Sequence, residues 1–157
     1  MEEKRKKFVR EGIKEAALKQ VIALLDKLEQ GIGILYYLME NGKGKAFVTA
    51  LISADNIDLM AHIRHQKRST DLLFEIDRDQ HLYALLCQGT GVDGGYYFIK
   101  RLVKTIRERG GKNIYCSEVD VQNTRHPIQE IIFRLLNMYH RAKAEKADGE
   151  ISFHSLS

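Results

Sequence analysis

Asp71-Leu-Leu-Phe-Glu-Ile76 and Leu82-Tyr-Ala-Leu-Leu-Cys87 are two short apolar runs, and they flank the polar segment Asp77-Arg-Asp-Gln-His81. Apolar runs of about four to eight residues bounded by polar residues are typical of strands. The polar segment between them has the length and composition of a hairpin turn. The sequence therefore predicts an antiparallel β-hairpin over residues 71–87.

The residues before this hairpin predict a strand followed by a helix. Lys45–Ser53 is short, apolar and rich in β-formers, so we predict a central strand there. Asp55 is predicted to cap an amphipathic helix that ends in the basic stretch Arg64–Arg68. The apolar positions of that helix are Ile57, Met60 and Ile63.

The residues after the hairpin predict two further helices and two further strands. The glycine-rich loop Gly89–Gly95 leads into a helix that Gly110 and Gly111 end, and Asn113–Val121 alternates as a strand does. Pro127 is placed to start a final helix that reaches Lys143, and Ile151–Leu156 predicts a terminal edge strand. The inward residues predicted for the first of these helices are Phe98, Leu102, Val103 and Ile106.

The N-terminal part of the chain has the pattern of one long helix, which Asn41–Gly44 is expected to end. One apolar stripe consists of Ala17, Val21, Leu24, Leu28 and Leu35, and a second consists of Leu18, Leu25, Ile32 and Met39. Two stripes predict packing on two sides, against the chain's own domain and a second copy, although a plain core-facing helix explains them equally well. We divide the chain into an N-terminal dimerisation or packing helix, 1–30, and a domain, 31–157.

The order of predicted elements decides the fold class. A hairpin embedded between helices favours an α+β fold, in which helices pack on a mostly antiparallel sheet. The order helix, strand, helix, strand, turn, strand, helix, strand, helix, strand matches the split βαβ plan of ferredoxin-like folds.

Composition limits the class of protein and its compartment. With 25 Lys and Arg against 21 Asp and Glu, the formal charge is +4, which is compatible with an anionic partner. The sequence holds neither an apolar run of about 18 residues nor a secretory signal, so we expect a cytoplasmic protein without a membrane span. Cys87 and Cys116 are expected to be buried thiols in a reducing compartment.

The order of elements and five short motifs, over roughly residues 30–155, resemble a GGDEF domain, the palm-like module of bacterial diguanylate cyclases. The hairpin is one motif, and Ala50-Leu-Ile-Ser-Ala-Asp-Asn-Ile57 is similar to the family strand that ends in Asp-x-Asp-x-Phe. The other carriers are Arg68-Ser-Thr-Asp71, Thr90 and Tyr139-His-Arg-Ala-Lys143. The resemblance implies a GGDEF-type antiparallel sheet flanked by helices, preceded by an N-terminal helix.

The same resemblance indicates that catalysis has been lost. The family's Gly-Gly-Asp/Glu-Glu-Phe turn is Asp77-Arg78-Asp79-Gln80-His81 here, and the first metal carboxylate of the family is replaced by Ser53. Phosphodiester synthesis needs metal held by paired carboxylates and a thin backbone turn for the nucleotide. The chain is therefore interpreted as a degenerate member with no catalytic residue and no metal or cofactor, and a weak site at Asp55 and Asp79 stays open.

What the resemblance retains is the product-binding inhibitory site of the cyclases. Arg68 and Asp71 stand at the family's Arg-x-x-Asp position, and the family's second basic residue falls on Arg101. The resemblance thus implies cyclic di-GMP as ligand, because an arginine fork can bind guanine O6 and N7 while a carboxylate accepts from guanine N1–H. Lys100 and Lys104 are further candidate contacts; Glu75 is another, which would weaken binding or pair with Arg68. By itself Arg-x-x-Asp is also a common surface ion pair.

Two hypotheses of function follow from these observations. The first is a non-catalytic cyclic di-GMP receptor that signals through contacts with a protein partner or a second copy of itself. The alternative is a nucleotide-independent structural or dimerisation module with the same fold. Nucleic-acid binding by the basic helix faces is disfavoured, because the chain lacks Trp and clustered surface aromatics. His62 and His65, and the glycines at 89, 91 and 94, are interpreted as structural.

Overall fold

A computed structural model describes residues 2–89 and 92–156, with side chains described for residues 17–89 and 95–156. The helices are α1 (Glu2–Glu40), α2 (Leu59–Gln66), α3 (Val92–Glu108) and α4 (Ile128–Ala144). The strands are β1 (Phe47–Asp55), β2 (Leu72–Asp77), β3 (Leu82–Gln88), β4 (Lys112–Val121) and β5 (Ile151–Leu156). The predicted order of elements and the predicted α+β class are confirmed.

The five strands form one sheet in the order β2-β3-β1-β4-β5. Every neighbouring pair is antiparallel except β4 and β5, which are parallel. β1 lies at the centre, and its residues 47–54 are all buried because strands flank it on both edges and helices cover both faces. The mostly antiparallel sheet and its central strand are therefore as predicted.

Helices cover the two faces of the sheet and create two hydrophobic layers. On one face Phe47 and Leu51 pack with Leu28 of α1 and Tyr139 of α4. On the other face the alternate β1 residues pack with α2 and α3; this layer includes Val48, Ala50, Ile52, Ile63, Ile99 and Ile106. Because period-two alternation sends neighbouring residues to opposite faces, β1 supplies both layers. The polar ends of α2 and α3 are left at the surface.

Helix α1 shows how the N-terminal region joins the domain. It ends at Glu40, before the segment Asn41–Gly44 that was predicted to end it, and Gly42 adopts φ +68°. The buried apolar side chains among its described residues are Leu24, Leu28, Ile32 and Leu35, all in the α1/α4 layer. The predicted domain boundary between residues 30 and 31 therefore falls inside a continuous helix. Leu18 of the second stripe is 59% exposed, whereas Ile32 of that stripe is in the core.

One local prediction is wrong. Asp55 does not cap α2: it is the last residue of β1, and Asp58 caps the helix by accepting from the Ala61 N–H at 3.2 Å. The strand runs two residues beyond the predicted end, so the helix starts later. Phe98 is partly buried and packs against the inner layer as predicted, and Ile99, which the sequence did not single out, is fully buried beside it.

The described residues include no helix with both the length and the apolar character needed to cross a bilayer.

Candidate ligand-binding site

The turn between α2 and β2 is built around Arg68 and Asp71. Arg68 Nη2 donates to Asp71 Oδ1 at 2.8 Å, and Nε lies 3.2 Å from both carboxylate oxygens. The backbone N–H of Arg68 also donates to Asp71 Oδ2, at 3.0 Å. Asp71 is 1% exposed, whereas about half of the Arg68 side chain is exposed. The hydrogen bond to Asp71 is the main cause of the raised pKa of Arg68.

The end of β3 holds the same turn from the other side. Arg68 Nη2 donates to the Gln88 carbonyl at 2.9 Å, and Gln88 Nε2 donates to the Thr70 carbonyl at 2.9 Å. Lys67 Nζ donates to the Asp71 carbonyl at 3.0 Å. Within the described residues, Nη1 is the nitrogen of the guanidinium that makes no hydrogen bond. Arg68 is therefore fixed with one edge outward, and the carboxylate of Asp71 faces Arg68 and not solvent.

Arg101 lies on the helix beside this turn. It lines a cleft of about 360 Å³ between α2 and α3, together with Gln66, Phe98 and Thr105. Gln66 is in the last turn of α2, two residues before Arg68, so the structure brings Arg101 to the end of α2 where the Arg68 turn begins. Lys104 also lines this cleft. Lys100 lines only the neighbouring groove on the β5 side of α3, and Arg101 and Lys104 line that groove as well.

Glu75 does not pair with Arg68. It is exposed on β2, where its register partner is Tyr83 of β3. The hydrogen bonds of the Arg68 side chain, as far as the described residues go, are made with Asp71 and Gln88. The pairing of Glu75 with Arg68 that the sequence left open is not formed.

The hairpin turn at residues 77–81 is held by its own backbone and by two helices. Asp77 accepts from the Gln80 N–H at 3.3 Å, and His81 takes φ +52°. Gln20 of α1 donates to Asp77 at 3.0 Å, and Lys143 of α4 donates to Gln80 at 2.8 Å. Side chains of α1 and α4 therefore reach the turn that the resemblance aligns with the glycines of the GGDEF signature.

The residues at the family's metal positions have other partners here. Ser53 Oγ accepts from the buried Tyr139 hydroxyl at 2.7 Å, and burial raises the pKa of Tyr139 to about 12. Asp55 accepts from Asn113 Nδ2 at 3.0 Å, and Asp79 is exposed in the turn. Across the described part of the chain, no three His, Cys, Asp or Glu side chains come together as a metal site would require.

Sequence reasoning missed the two buried acids of β4, Glu118 and Asp120. Glu118 is fully buried, both of its carboxylate oxygens lack a hydrogen-bond partner in the described structure, and burial raises its pKa to about 8. Asp120 bonds Gln122 and Ser155. The missed signal is the alternation of Cys116, Glu118 and Asp120, which places all three on the face that α3 covers.

The remaining predictions concern the two cysteines, His62 and Thr90. Cys87 and Cys116 are buried free thiols as predicted, and burial raises the pKa of Cys87 to about 12. His62 Nε2 lies 2.8 Å from Thr105 Oγ1, a contact that joins α2 to α3. Thr90, one carrier of the family resemblance, lies outside the described residues.

Several solved structures share this fold, and they are GGDEF proteins. A microbial GGDEF domain, described for its interaction mode with cyclic di-GMP, aligns with a TM-score of 0.60 at 7% identity, over 78% of this chain and 84% of its own. The diguanylate cyclase SiaD of Pseudomonas aeruginosa, in complex with its activator SiaC, aligns at 0.54 and 12% identity, over 98% and 75%. The FimX GGDEF domain of the same organism aligns at 0.53 and 13%, over 85% and 91%.

No protein-family model and no curated protein matches the sequence. The structural similarity therefore shows a GGDEF-type fold, and at these identities it shows the fold alone.

Proposed function

We propose that this protein is a non-catalytic GGDEF-type receptor that binds cyclic di-GMP and signals through contacts with another protein or a second copy of itself. The observation that supports this proposal best is Arg68, which is half-exposed and held by the buried Asp71 at the end of α2. The cleft that Arg101 lines begins at the same helix end. An outward guanidinium edge beside further cations suits a ligand that carries guanine bases and phosphates.

The chemistry assigns different tasks to the three residues. Arg68 would donate from its Nη1 edge to an acceptor on guanine. Asp71 would act as a positioning residue, because its oxygens already accept from Arg68 and lie out of solvent. Arg101, with Lys104 beside it, would bind phosphate oxygens through charge-assisted hydrogen bonds. Because Asp71 and Gln88 already fix Arg68, its side chain loses little conformational entropy when a ligand binds.

The loss of catalysis is part of the same proposal. Phosphodiester synthesis would need metal held by carboxylates at the end of β1. The residue at the first of those positions is Ser53, whose hydroxyl accepts a hydrogen bond from Tyr139. The turn at residues 77–81 carries side chains where a nucleotide would need bare backbone. We therefore assign this chain no catalytic residue, no metal and no cofactor other than its ligand.

Signalling by such a receptor requires two arrangements that bind the ligand unequally, because a ligand shifts an equilibrium only by its differential affinity. The bound dinucleotide would bridge the Arg68 turn and α3 and so change how the domain meets its protein partner. On this proposal the protein would act in the cytoplasm.

Calorimetric titration with cyclic di-GMP is the direct test of this receptor function. We expect saturable binding to the wild-type protein and an affinity about 10- to 100-fold lower for Arg68→Ala, because a hydrogen bond from a charged group contributes about 1.5 to 3 kcal/mol. Arg125→Ala removes an equal charge from an exposed position in the β4–α4 loop and should bind as the wild type does. Absence of heat with wild type at tens of micromolar ligand would contradict the receptor function. Equal binding by Arg68→Ala would contradict the assignment of the binding site to Arg68 but not the receptor function.

Incubation with GTP and Mg²⁺ or Mn²⁺ tests the loss of catalysis. We expect no cyclic di-GMP in the product mixture, because the carboxylate that would hold the metal is a serine here. Chromatography of the reaction against an active cyclase as positive control measures this. Formation of cyclic di-GMP by the wild-type chain would overturn the assignment.

The alternative, a dimerisation module that binds no nucleotide, is favoured by one feature of α1. Leu18 and Ile22 are about 60% exposed on the half of the helix that precedes the domain core. Sedimentation analysis separates the two functions: a dimer whose dissociation constant is unchanged by cyclic di-GMP fits the module, and one that shifts with ligand fits the receptor.

A further inference from the structure

The outer edge of β5 is unusually open for a sheet edge. β5 pairs with β4, and among the described residues no backbone hydrogen bond joins its other edge to any segment. Native edge strands are normally protected by lysine, proline, bulges or charges, which block pairing with another chain. The opposite edge, β2, has such protection: Glu75 and Asp77 flank a register shift. The β5 sequence, Ile-Ser-Phe-His-Ser-Leu, has none of these features.

A groove runs beside the start of this strand. Its volume is about 730 Å³, and it lies between α3 and β5. Its apolar floor includes Val103 and Ile151, and Tyr97 stands beside it with 60% of its surface exposed. Ile151, Phe153 and Ser155 alternate toward the α3 side of the sheet, and Phe153 is itself partly exposed beside Tyr96. Alternate side chains of a strand added to β5 would therefore enter this groove.

The rim of the groove is strongly cationic. Lys100, Arg101, Lys104 and Arg107 line it, and Glu108 is the one acidic residue in that lining, counted over the described residues. Arg107 is neutralised by Asp148 at 2.7 Å. Lys100 and Lys104 make no ion pair in the part of the chain that the structure describes. A partner that lies here would gain most by bringing carboxylates.

We propose that the β5 edge and this groove bind an extended acidic segment of a partner protein, which adds to the sheet as a sixth strand. The open edge offers backbone donors and acceptors that only another peptide backbone can match in register. The cationic rim selects acidic side chains, and the apolar floor accepts the side chains that alternate with them. A nucleic acid would satisfy the cations but not the strand edge.

This surface shares Arg101 and Lys104 with the α2–α3 cleft, but Lys100 and Arg68 allow the two proposals to be tested separately. Lys100 lines the β5 groove and not the α2–α3 cleft, and Arg68 belongs to the α2–β2 turn. Lys100→Glu therefore tests the peptide surface, while Arg68→Ala tests the dinucleotide site. The failure of one proposal leaves the result of the other readable.

Selection from a phage-displayed library of random peptides, about twelve residues long, tests the surface with the intact protein. We expect the enriched peptides to carry acidic residues alternating with apolar ones. The affinity for a synthetic peptide of the most enriched sequence, measured by fluorescence anisotropy, should fall at least about tenfold in the Lys100→Glu variant. Lys43→Glu makes the same charge change at an exposed turn and should leave binding unchanged. Enrichment without acidic residues, no enrichment at all, or full binding by Lys100→Glu would overturn the proposal.

Backbone methylation of the winning peptide tests strand addition itself. Successive N–H groups of a strand point to opposite edges of that strand. Methylating one alternate set of backbone nitrogens therefore removes the hydrogen bonds to β5, whereas methylating the other set leaves them intact. We expect one methylated peptide to lose binding at least about tenfold and the other to keep it. Equal loss of binding by the two methylated peptides would overturn strand addition. Tighter binding of a thymidine oligonucleotide than of the peptide would assign the groove to nucleic acid.

Discussion

Replacing Glu118 with leucine is expected to raise the free energy of unfolding by about 1 to 3 kcal/mol near neutral pH. Glu118 is fully buried in β4, and neither carboxylate oxygen has a hydrogen-bond partner in the described structure. A carboxyl group in this position loses its hydration and gains no compensating bond. Leucine has a similar volume and would pack with the apolar neighbours on this face.

The stabilisation by leucine should grow as pH rises. Burial, with Asp120 adding a like charge, raises the pKa of Glu118 from 4.5 to about 8. Between these values unfolding releases a proton, so the wild-type protein loses up to about 1.4 kcal/mol of stability per pH unit on this account. Above the upper value the folded protein holds the charged form, and the penalty is complete. Glu118→Leu has no carboxyl group at this position, so its stability lacks this dependence on pH.

Urea denaturation of both proteins from about pH 5 to about pH 8 measures the difference. The pKa of Asp120 is also raised by burial, and those of His62, His140 and His154 are lowered by burial. These groups are present in both proteins, so their effects largely cancel in the comparison. Glu150→Leu changes an exposed glutamate and should give a difference that does not vary with pH. The same flat difference for Glu118→Leu would show that its carboxylate is solvated in the folded protein.

Hydrophobic periodicity was sufficient to predict the order of elements and the α+β class. This is because each helix packs one apolar face on the sheet, and the strands alternate between its two faces. It also predicted the end of α1, since Asn41 and Gly42 follow the last apolar position. The division of the chain at residues 30 and 31 stays a prediction. Periodicity does not show how closely α1 approaches the sheet: a Cβ at Gly31 would lie 3.0 Å from Leu86 of β3.

The candidate site was only partly predictable for a similar reason. The resemblance named Arg68, Asp71 and Arg101 as candidates, but a sequence motif does not show which way a side chain faces. Asp71 is buried against Arg68, whose guanidinium also donates to the Gln88 carbonyl, 20 residues after Arg68 in the sequence. The burial of Glu118 likewise depends on β5 pairing with β4 from more than 30 residues away. Both facts depend on tertiary contacts: alternation along β4 indicates which face Glu118 occupies, but no local pattern shows that this face is buried.

A double-mutant cycle on Arg68 and Asp71 should give a coupling energy of about 1 to 3 kcal/mol. Arg68→Ala leaves the carboxylate of Asp71 buried with the backbone N–H of residue 68 as its remaining donor, so we expect a loss of about 2 to 4 kcal/mol. Asp71→Ala should cost less, because the freed arginine is half-exposed and water can hydrate it. The double variant should lose less than the sum, since no charge is then buried alone. Urea denaturation of the four proteins measures each value.

Arg107 and Asp148 provide the matched control for this cycle. Their nitrogen–oxygen distance is 2.7 Å, close to the 2.8 Å of Arg68 and Asp71, but both side chains are at least one-third exposed. Water screens that pair, so its coupling should stay below about 1 kcal/mol. If the two cycles gave the same small value, Asp71 would be an ordinary surface partner, free to turn toward a ligand. A clearly larger value for Arg68 and Asp71 would mean that the carboxylate stays with Arg68, and that any guanine at this turn is recognised by the arginine that Asp71 holds in place.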